Sequence, residues 1–402
     1  MKDLPRKLLL WAALVAVLAV QGTMLHALRQ RILDGQADFT AFYSAARVVA
    51  EGRGGELYRF RTQLQFQHEF PSRRTPLLFY HPPFELLLFL PLAWLPFVHA
   101  YAVWMGVNLA LLVYLAYLRH PYSETFLRFR GLLPLVLALA FFPVAWSIVQ
   151  GQDSVLLLLL FSLAWIAMRR GQSFRAGCFL ALGLFKFQFV LPFMVALAVR
   201  RNWKALQGFL WTGLGLGLLS LVPVGWQGVR SYVEFLLEIN RRLAYGTIHP
   251  VVMPNVRGLV TMFVGSYLPA PWPGVIIAVL SLLLLLLVVQ RWPRQDETTA
   301  EQFDLVFALN LVVTMLVSYH LNPHDLALLF LAVMLVTRHL LATRGERRMG
   351  RIALLACAAA LYVPTLYLHE GTRNPHPLFW VLGLLATGLV LETGRQIGER
   401  PA

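Results

Sequence analysis

The sequence predicts an all-α polytopic membrane protein, and three observations carry that prediction. Of the 402 residues, 58% are hydrophobic and 14% charged, whereas a soluble domain carries about a quarter charged residues. Apolar runs such as Val155 to Met168, Val275 to Val289 and Leu326 to Val336 recur along the whole length, as expected of helices bundled in a bilayer. The basic residues behind the net charge of +15 sit in short clusters between those runs. That is the distribution of the positive-inside rule, and it argues against a nucleic-acid partner. Cys178 and Cys357 both lie inside apolar runs, so no disulfide framework or metal-ligand spacing is visible.

Threading the basic clusters to one side orders the elements. Met1 to Lys7 precede an apolar run from Leu8 that lacks a small-x-small cleavage site, so it reads as a retained first helix, Leu8 to His26, with its basic end in the cytoplasm. Residues 27–97 form a first outer loop. Within it Phe39, Phe42, Tyr43 and Ala46 recur at helical spacing and end at Gly52, which predicts a helix lying in the interface. A second short helix is expected over Thr62 to Phe70. Phe84 to Phe97 is apolar but only 14 residues long and holds Pro91, so it reads as re-entrant.

Further spans follow at His99–Leu118, Gly131–Val149 and Ser154–Met168, with the basic stretch Arg119 to Arg130 inside. Ala176 to Val199 is flanked by basic clusters at both ends. A hairpin of two short helices keeps both clusters inside and lifts Lys186 toward the outer face. Ala205–Pro223 leads to a second large outer loop, residues 224–273. Val275–Val289, Phe303–Tyr319, Leu326–Leu341, Ile352–Leu368 and Pro377–Leu391 complete about twelve helices with both termini cytoplasmic. The whole chain, 1–402, is then one integral membrane domain.

This threading gathers Asp38, His81, Gln150, Gln152, Asp153, Lys186, Arg257, His320, His324 and Asp325 at one face. Ionisable groups at membrane depth are costly and are functional candidates for that reason. Several cations with a few carboxylates suit a phosphate-bearing substrate: cations stabilise the phosphate charge and a carboxylate takes a proton. Each residue also has a plainer role. Asp38 stands where a helix N-cap is expected, Lys186 could snorkel to the interface, and Arg257 and His324 could anchor loops. Gln152 and Asp153 could cap the helix that follows. Trp94, Trp104, Trp146 and Trp203 read as interface anchors.

In order along the chain stand Asp38-Phe39 with Tyr43 and Ala45-Ala46, Gly55-x-Leu57-Tyr58, and Tyr80-His81-Pro82-Pro83 with Pro91-Leu92. Trp104 with Asn108, Gly151-Gln152, Ala176-Gly177 with Lys186, and Arg201-x-Trp203 continue the series. Met253-Pro254-Asn255-x-Arg257-Gly258-Leu259 and Ser318 through His324 close it. This ordered series, from Asp38 to about Leu340, resembles glycosyltransferase family 87 of the GT-C superfamily, the polyprenyl-phosphate-mannose-dependent type. Asp153 stands where that family often has Asn, Asn255 where it often has Ser, and His324-Asp325 where His-His is frequent.

The resemblance implies a GT-C fold and inverting transfer of a sugar, usually mannose, from a polyprenyl monophosphate carrier to a lipid or glycan acceptor. The site would lie on the extracytoplasmic side of the cell membrane. Asp38 matches the family's catalytic carboxylate. Lys186, Arg257 and His324 would hold the leaving phosphate, with Tyr43, His81, Gln152 and His320 as further substrate-binding candidates. No metal and no cofactor is expected, because side-chain cations can stabilise a monophosphate leaving group. A transporter or flippase of a lipid-linked or anionic substrate is the alternative, although no internal repeat of the transporter kind is evident.

Overall fold

The computed structural model describes residues 4–70, 77–118, 132–238, 249–292, 299–342, 349–367 and 376–398. The basic stretch 119–130, Arg241 and Arg242, Arg294, Arg344 to Arg348 and Arg400 lie outside the described residues. So do His369 and most of the last outer turn.

Every regular element described is helical. They are α1 Leu4–Leu33, α2 Phe39–Ala50, α3 Phe60–Phe66, α4 Leu86–Phe89, α5 Phe97–Tyr117, α6 Leu132–Ala140, α7 Phe142–Gln150, α8 Ser154–Arg169 and α9 Ser173–Leu182. They continue as α10 Phe187–Val199, α11 Trp203–Leu219, α12 Leu221–Glu238, α13 Val256–Val264, α14 Trp272–Arg291, α15 Ala300–Val317, α16 Leu329–Ala342, α17 Met349–Ala360 and α18 Pro377–Gly398. Short 3₁₀ turns at Gly183–Lys186 and Pro323–Leu328 join helices near the middle of the chain and carry several polar side chains.

The described residues support part of the expected count of about twelve spans. Among the described residues seven helices are long and apolar enough to cross a bilayer, or nine if the bent pairs α6–α7 (74°) and α11–α12 (93°) each count as one. The difference lies in short helices. α8 has 16 residues and α17 only 12, and Pro83 to Trp94 is broken into two 3₁₀ turns around the single turn of α4. That last break agrees with a non-spanning segment and places Pro83 and Pro91 at 3₁₀ starts, where a missing N–H costs nothing.

Residues 173–199 satisfy the length and hydropathy of one span, yet the packing requires a reversal. A Cβ on Gly177 would run into the carbonyl oxygen of Ala205, and one on Gly208 into that of Phe174. Small residues thus let α9 and α11 touch backbone to backbone. A straight helix from Gly177 to Val199 would measure about 33 Å, while the six residues to Ala205 reach back at most about 20 Å. The chain therefore doubles back at Gly183–Lys186 as a hairpin with Lys186 at its tip.

The helices sort by what surrounds them. α15 is buried along 78% of its span, whereas α14 and the span in α1 are buried along only 11% and 6%. Val275, Val279, Leu282, Leu283 and Leu286 of α14 are exposed, an apolar outer wall suited to lipid and not to water. At one end of the bundle Asp304 of α15 meets Arg169 from the end of α8 and Arg338 from the end of α16. Arg200, after α10, donates to the Val289 and Gln290 carbonyls at the end of α14. Basic helix ends converge there, and the polar groups described below lie at the other ends of α8, α15 and α16.

α2 is the helix expected over this part of the first outer loop, but it has no water-facing side: Phe39, Phe42, Tyr43, Ala45, Ala46 and Val48 are all buried, as are the polar Thr40 and Ser44 on the remaining face. Its aromatic side stacks Phe42 on Phe89 with centroids 4.5 Å apart, and Phe39 meets Tyr101 edge-on. The outer-loop segment is thus a second apolar core laid against α5. Trp104 belongs to that core at 4% exposure and is no interface anchor, whereas Trp94 and Trp203 are 77% and 63% exposed, as anchors are.

Candidate functional site

Asp38 occupies the N-cap position of α2, but its side chain makes no capping bond. Its Oδ2 instead accepts a hydrogen bond from Gln152 Nε2 at 3.0 Å and lies 3.5 Å from His324 Nδ1. The cap reading of Asp38 is therefore set aside: the carboxylate faces across the fold, away from its own helix.

Gln152 reaches Asp38 because of the residue before it. Gly151 ends α7 with φ of +64°, and a Cβ there would stand 2.6 Å from Phe39 Cβ. A side chain would be strained in that backbone region and would also displace the residue that follows Asp38. Trp104 Nε1 donates to the Gly151 carbonyl at 2.9 Å, and the Tyr101 hydroxyl donates to the Val149 carbonyl at 2.6 Å. α5 thereby fixes the turn, and the Gln152 N–H closes it on the Ser147 carbonyl.

From Gln152 the polar chain continues to Lys186, which is 2% exposed. Lys186 Nζ donates to Asp325 Oδ1 at 2.6 Å, Ser154 Oγ at 2.8 Å and Gln152 Oε1 at 3.4 Å. Those bonds engage all three ammonium protons. Asp153 Oδ1 also lies 2.8 Å from Nζ but has no aligned hydrogen bond. Lys186 is thus held between two carboxylates, and as placed it reaches a substrate only through Gln152. Asp325 Oδ2 caps its own turn by accepting from the Asn322 N–H, and His324 Nε2 stands 3.5 Å from Asp325 Oδ1.

Behind Lys186, His81 Nδ1 lies 2.6 Å from Glu85 Oε2 and 3.7 Å from Asp153 Oδ2, with all three side chains buried. Burial pushes the His81 imidazole down to about 4, so it is neutral at pH 7. Burial, joined by the Asp153 charge, pushes the Glu85 carboxyl well above the ordinary range. Burial works against the Asp153 charge too, but Lys186, Glu85 and His81 outweigh it and hold Asp153 below its usual value.

A second group borders this one. Asn255 Nδ2 donates to the Ser318 carbonyl at 2.8 Å, and Arg257 Nη1 donates to the Tyr319 carbonyl at 2.7 Å while its guanidinium covers the Tyr319 ring at 3.9 Å. The Met253–Leu259 and Ser318–His324 stretches, far apart in sequence, are thereby clamped together. His320 Nε2 faces the Asn322 amide at 3.0 Å and the Tyr80 hydroxyl at 3.3 Å. A narrow cleft opens here, lined by Tyr80, His81, Phe185, Phe187, Gln188, Leu236, Tyr319 and His320.

The structure therefore brings Asp38, Gln152, Lys186, His324 and His81 into one polar network, with His320 and Arg257 at the neighbouring cleft. Tyr43 is not part of it: its hydroxyl donates to the Leu95 carbonyl at 2.8 Å and its ring packs on Phe97. Glu85 and Ser154 are the members that sequence reasoning missed. Glu85 had a usable signal, as the one charged residue in the apolar run from Phe84 to Phe97. Ser154 had none.

The fold and site define a membrane-embedded helical protein with a carboxylate–lysine network at one end of its bundle. Comparison with protein families places the chain: the model for Glycosyltransferase family 87 matches residues 79–319. The match covers more than half of the chain, and the chain belongs to that family, among the glycosyltransferases and not the transporters. Comparison with curated proteins and with solved structures gives no significant match.

Proposed function

We propose that this membrane glycosyltransferase moves a sugar, in the first instance mannose, from a polyprenyl-phosphate donor to a hydroxyl of a lipid or glycan acceptor. In this reading it works with inversion, in the cell membrane, at the extracytoplasmic face. The observation that carries the assignment of roles is exposure. Asp38 is 28% exposed, whereas Asp153, Asp325 and Glu85 are at 0%, 2% and 0%. Of the four clustered carboxylates, Asp38 alone can meet a substrate.

The reaction then runs as a single displacement. The acceptor oxygen attacks the anomeric carbon, its proton passes to Asp38, and the anomeric carbon–oxygen bond to phosphate breaks with the electron pair leaving on polyprenyl phosphate. Gln152 orients Asp38 by donating to Oδ2, and Lys186 fixes Gln152 from behind. Arg257 would meet the leaving phosphate with its charge and His324 with a ring N–H, and such groups are worth most where water is excluded. The cleft supports a lipid-linked donor, since Phe185, Phe187, Leu236 and Tyr319 give it an apolar wall beside a few polar groups. Convergence of the described basic helix ends at the opposite end of the bundle supports the extracytoplasmic side.

The test is incubation of the purified protein with labelled polyprenyl-phosphate-mannose and a crude lipid extract. A labelled product is expected. Consumption of a different polyprenyl-phosphate sugar would correct the donor, and movement of the lipid across proteoliposomes without product would overturn the reading.

A further inference from the structure

His81, Glu85 and Asp153 form a group that the proposed displacement does not use. Each offers a ligand atom, and these atoms lie within 4.8 Å of one another. The residues are 6%, 1% and 0% exposed. His81 Nδ1, both carboxylate oxygens of Glu85 and both of Asp153 have no hydrogen-bond partner. Buried polar atoms without an aligned hydrogen bond are costly, and here Asp153 Oδ1 has only its 2.8 Å ion pair with Lys186 and His81 Nδ1 only its 2.6 Å approach to Glu85. Something must compensate them.

Nearby protein groups are already committed. Lys186 directs its three protons to Ser154, Asp325 and Gln152. The Tyr58 hydroxyl donates to the His81 carbonyl, not to its ring. Asp153 and Asp325 both contact the single Lys186 ammonium, Asp38 reaches it through Gln152, and Glu85 lies behind Asp153 against His81, so carboxyl groups outnumber cations in the network. One imidazole nitrogen with two carboxylates is a mixed nitrogen–oxygen ligand set that suits a divalent ion such as Zn²⁺ or Mn²⁺. The cleft reaches His81 and supplies a route in.

We propose that His81 Nδ1, Glu85 and Asp153 bind a divalent transition-metal cation behind Lys186. The site goes beyond the glycosyl-transfer reading and does not depend on it. The ion neutralises Glu85 and Asp153, which leaves the Lys186 charge facing Asp325 and the Asp38–Gln152 pair. It is a positioning device, and Asp38 still takes the proton.

The test uses the full-length protein in detergent, without a polyhistidine tag, stripped with a chelator, reloaded with Zn²⁺ or Mn²⁺ and desalted. Metal content by mass spectrometry is expected near one ion per chain for one of the two metals, with a higher unfolding temperature in the loaded form. Glu85→Gln and His81→Asn are each expected to lower that stoichiometry at least fivefold. Asp304→Asn, at the opposite end of the bundle, leaves it unchanged. Wild-type protein that retains less than a tenth of an ion per chain for both metals overturns the site. A proton shared between Glu85 and Asp153 would then be what compensates the cluster. Unchanged stoichiometry in both variants also overturns it, because the bound ion would sit elsewhere. Neither result bears on whether sugar is transferred.

Discussion

Gln152 joins Asp38 to Lys186: its amide donates to Asp38 Oδ2 at 3.0 Å and its carbonyl accepts from Lys186 Nζ at 3.4 Å. One neutral side chain thus connects an accessible carboxylate to a buried cation. Leucine at this position removes both contacts and keeps the bulk. A hydrogen bond to a charged group is worth roughly 1.5–3 kcal/mol, so Gln152→Leu should lower kcat about 10- to 100-fold. Steady-state transfer assays check this, and a change confined to KM would show that Gln152 binds substrate without orienting the base.

Gly151→Ala tests the turn that presents Gln152. The backbone at φ +64° disfavours a side chain, and Phe39 blocks the Cβ. The expected loss is roughly 1–3 kcal/mol, seen as a lower unfolding temperature. Phe39→Leu in the same chain should recover part of it, because the steric component goes and the φ component stays. No loss in the single variant would mean that the turn is not held as described.

Lys186→Met leaves Asp153 and Asp325 buried without their cation. Breaking a buried pair on one side costs roughly 3–5 kcal/mol, so this variant should be poorly stable as well as inactive. Addition of Asp325→Asn should recover stability without recovering activity. If Lys186→Met lost activity at wild-type stability, Lys186 would be a direct phosphate ligand, as its sequence position alone suggested.

His320 sets a pH limit. Burial pushes its imidazole down to about 4, and Nε2 faces the Asn322 amide. The unfolded chain binds the proton near 6.5 and the folded one only near 4, so the unfolded state holds more protons between those values. Stability from this residue is therefore complete above about pH 6.5 and is lost as pH falls toward 4, by up to roughly 3 kcal/mol. His320→Gln should flatten the fall of unfolding temperature between pH 6.5 and 4. An unchanged slope would assign the acid sensitivity to other groups.

Much of this was legible in the sequence because it rests on composition and charge. Apolar runs marked the helices, and the paired basic clusters around residues 173–204 favoured the hairpin, with which the Gly177–Ala205 contact agrees. α2 was legible as a helix from Phe39 to Ala50, but its burial was not, since its small polar face reads as water-facing until the fold covers it. Among the described residues length alone supports seven to nine spans, because short helices such as α8 and α17 carry the hydropathy of a crossing at less than its usual length. At the site, residue types suggested which groups matter and not whom they touch. Lys186 read as a free phosphate cation because nothing local shows Asp325, 139 residues away, closing on it. Tyr43 entered through a motif and proved to be a strut for Leu95.

The central claim is that Asp38 takes the acceptor proton, and Asp38→Asn tests it most directly. Asparagine keeps the shape and can still bond Gln152, so the protein should insert and elute as the wild type does. General-base catalysis is typically worth 10²–10⁴-fold. Transfer from labelled polyprenyl-phosphate-mannose to a verified acceptor should therefore fall by about a thousandfold in folded Asp38→Asn. Turnover within a few-fold of wild type would contradict Asp38 as the base.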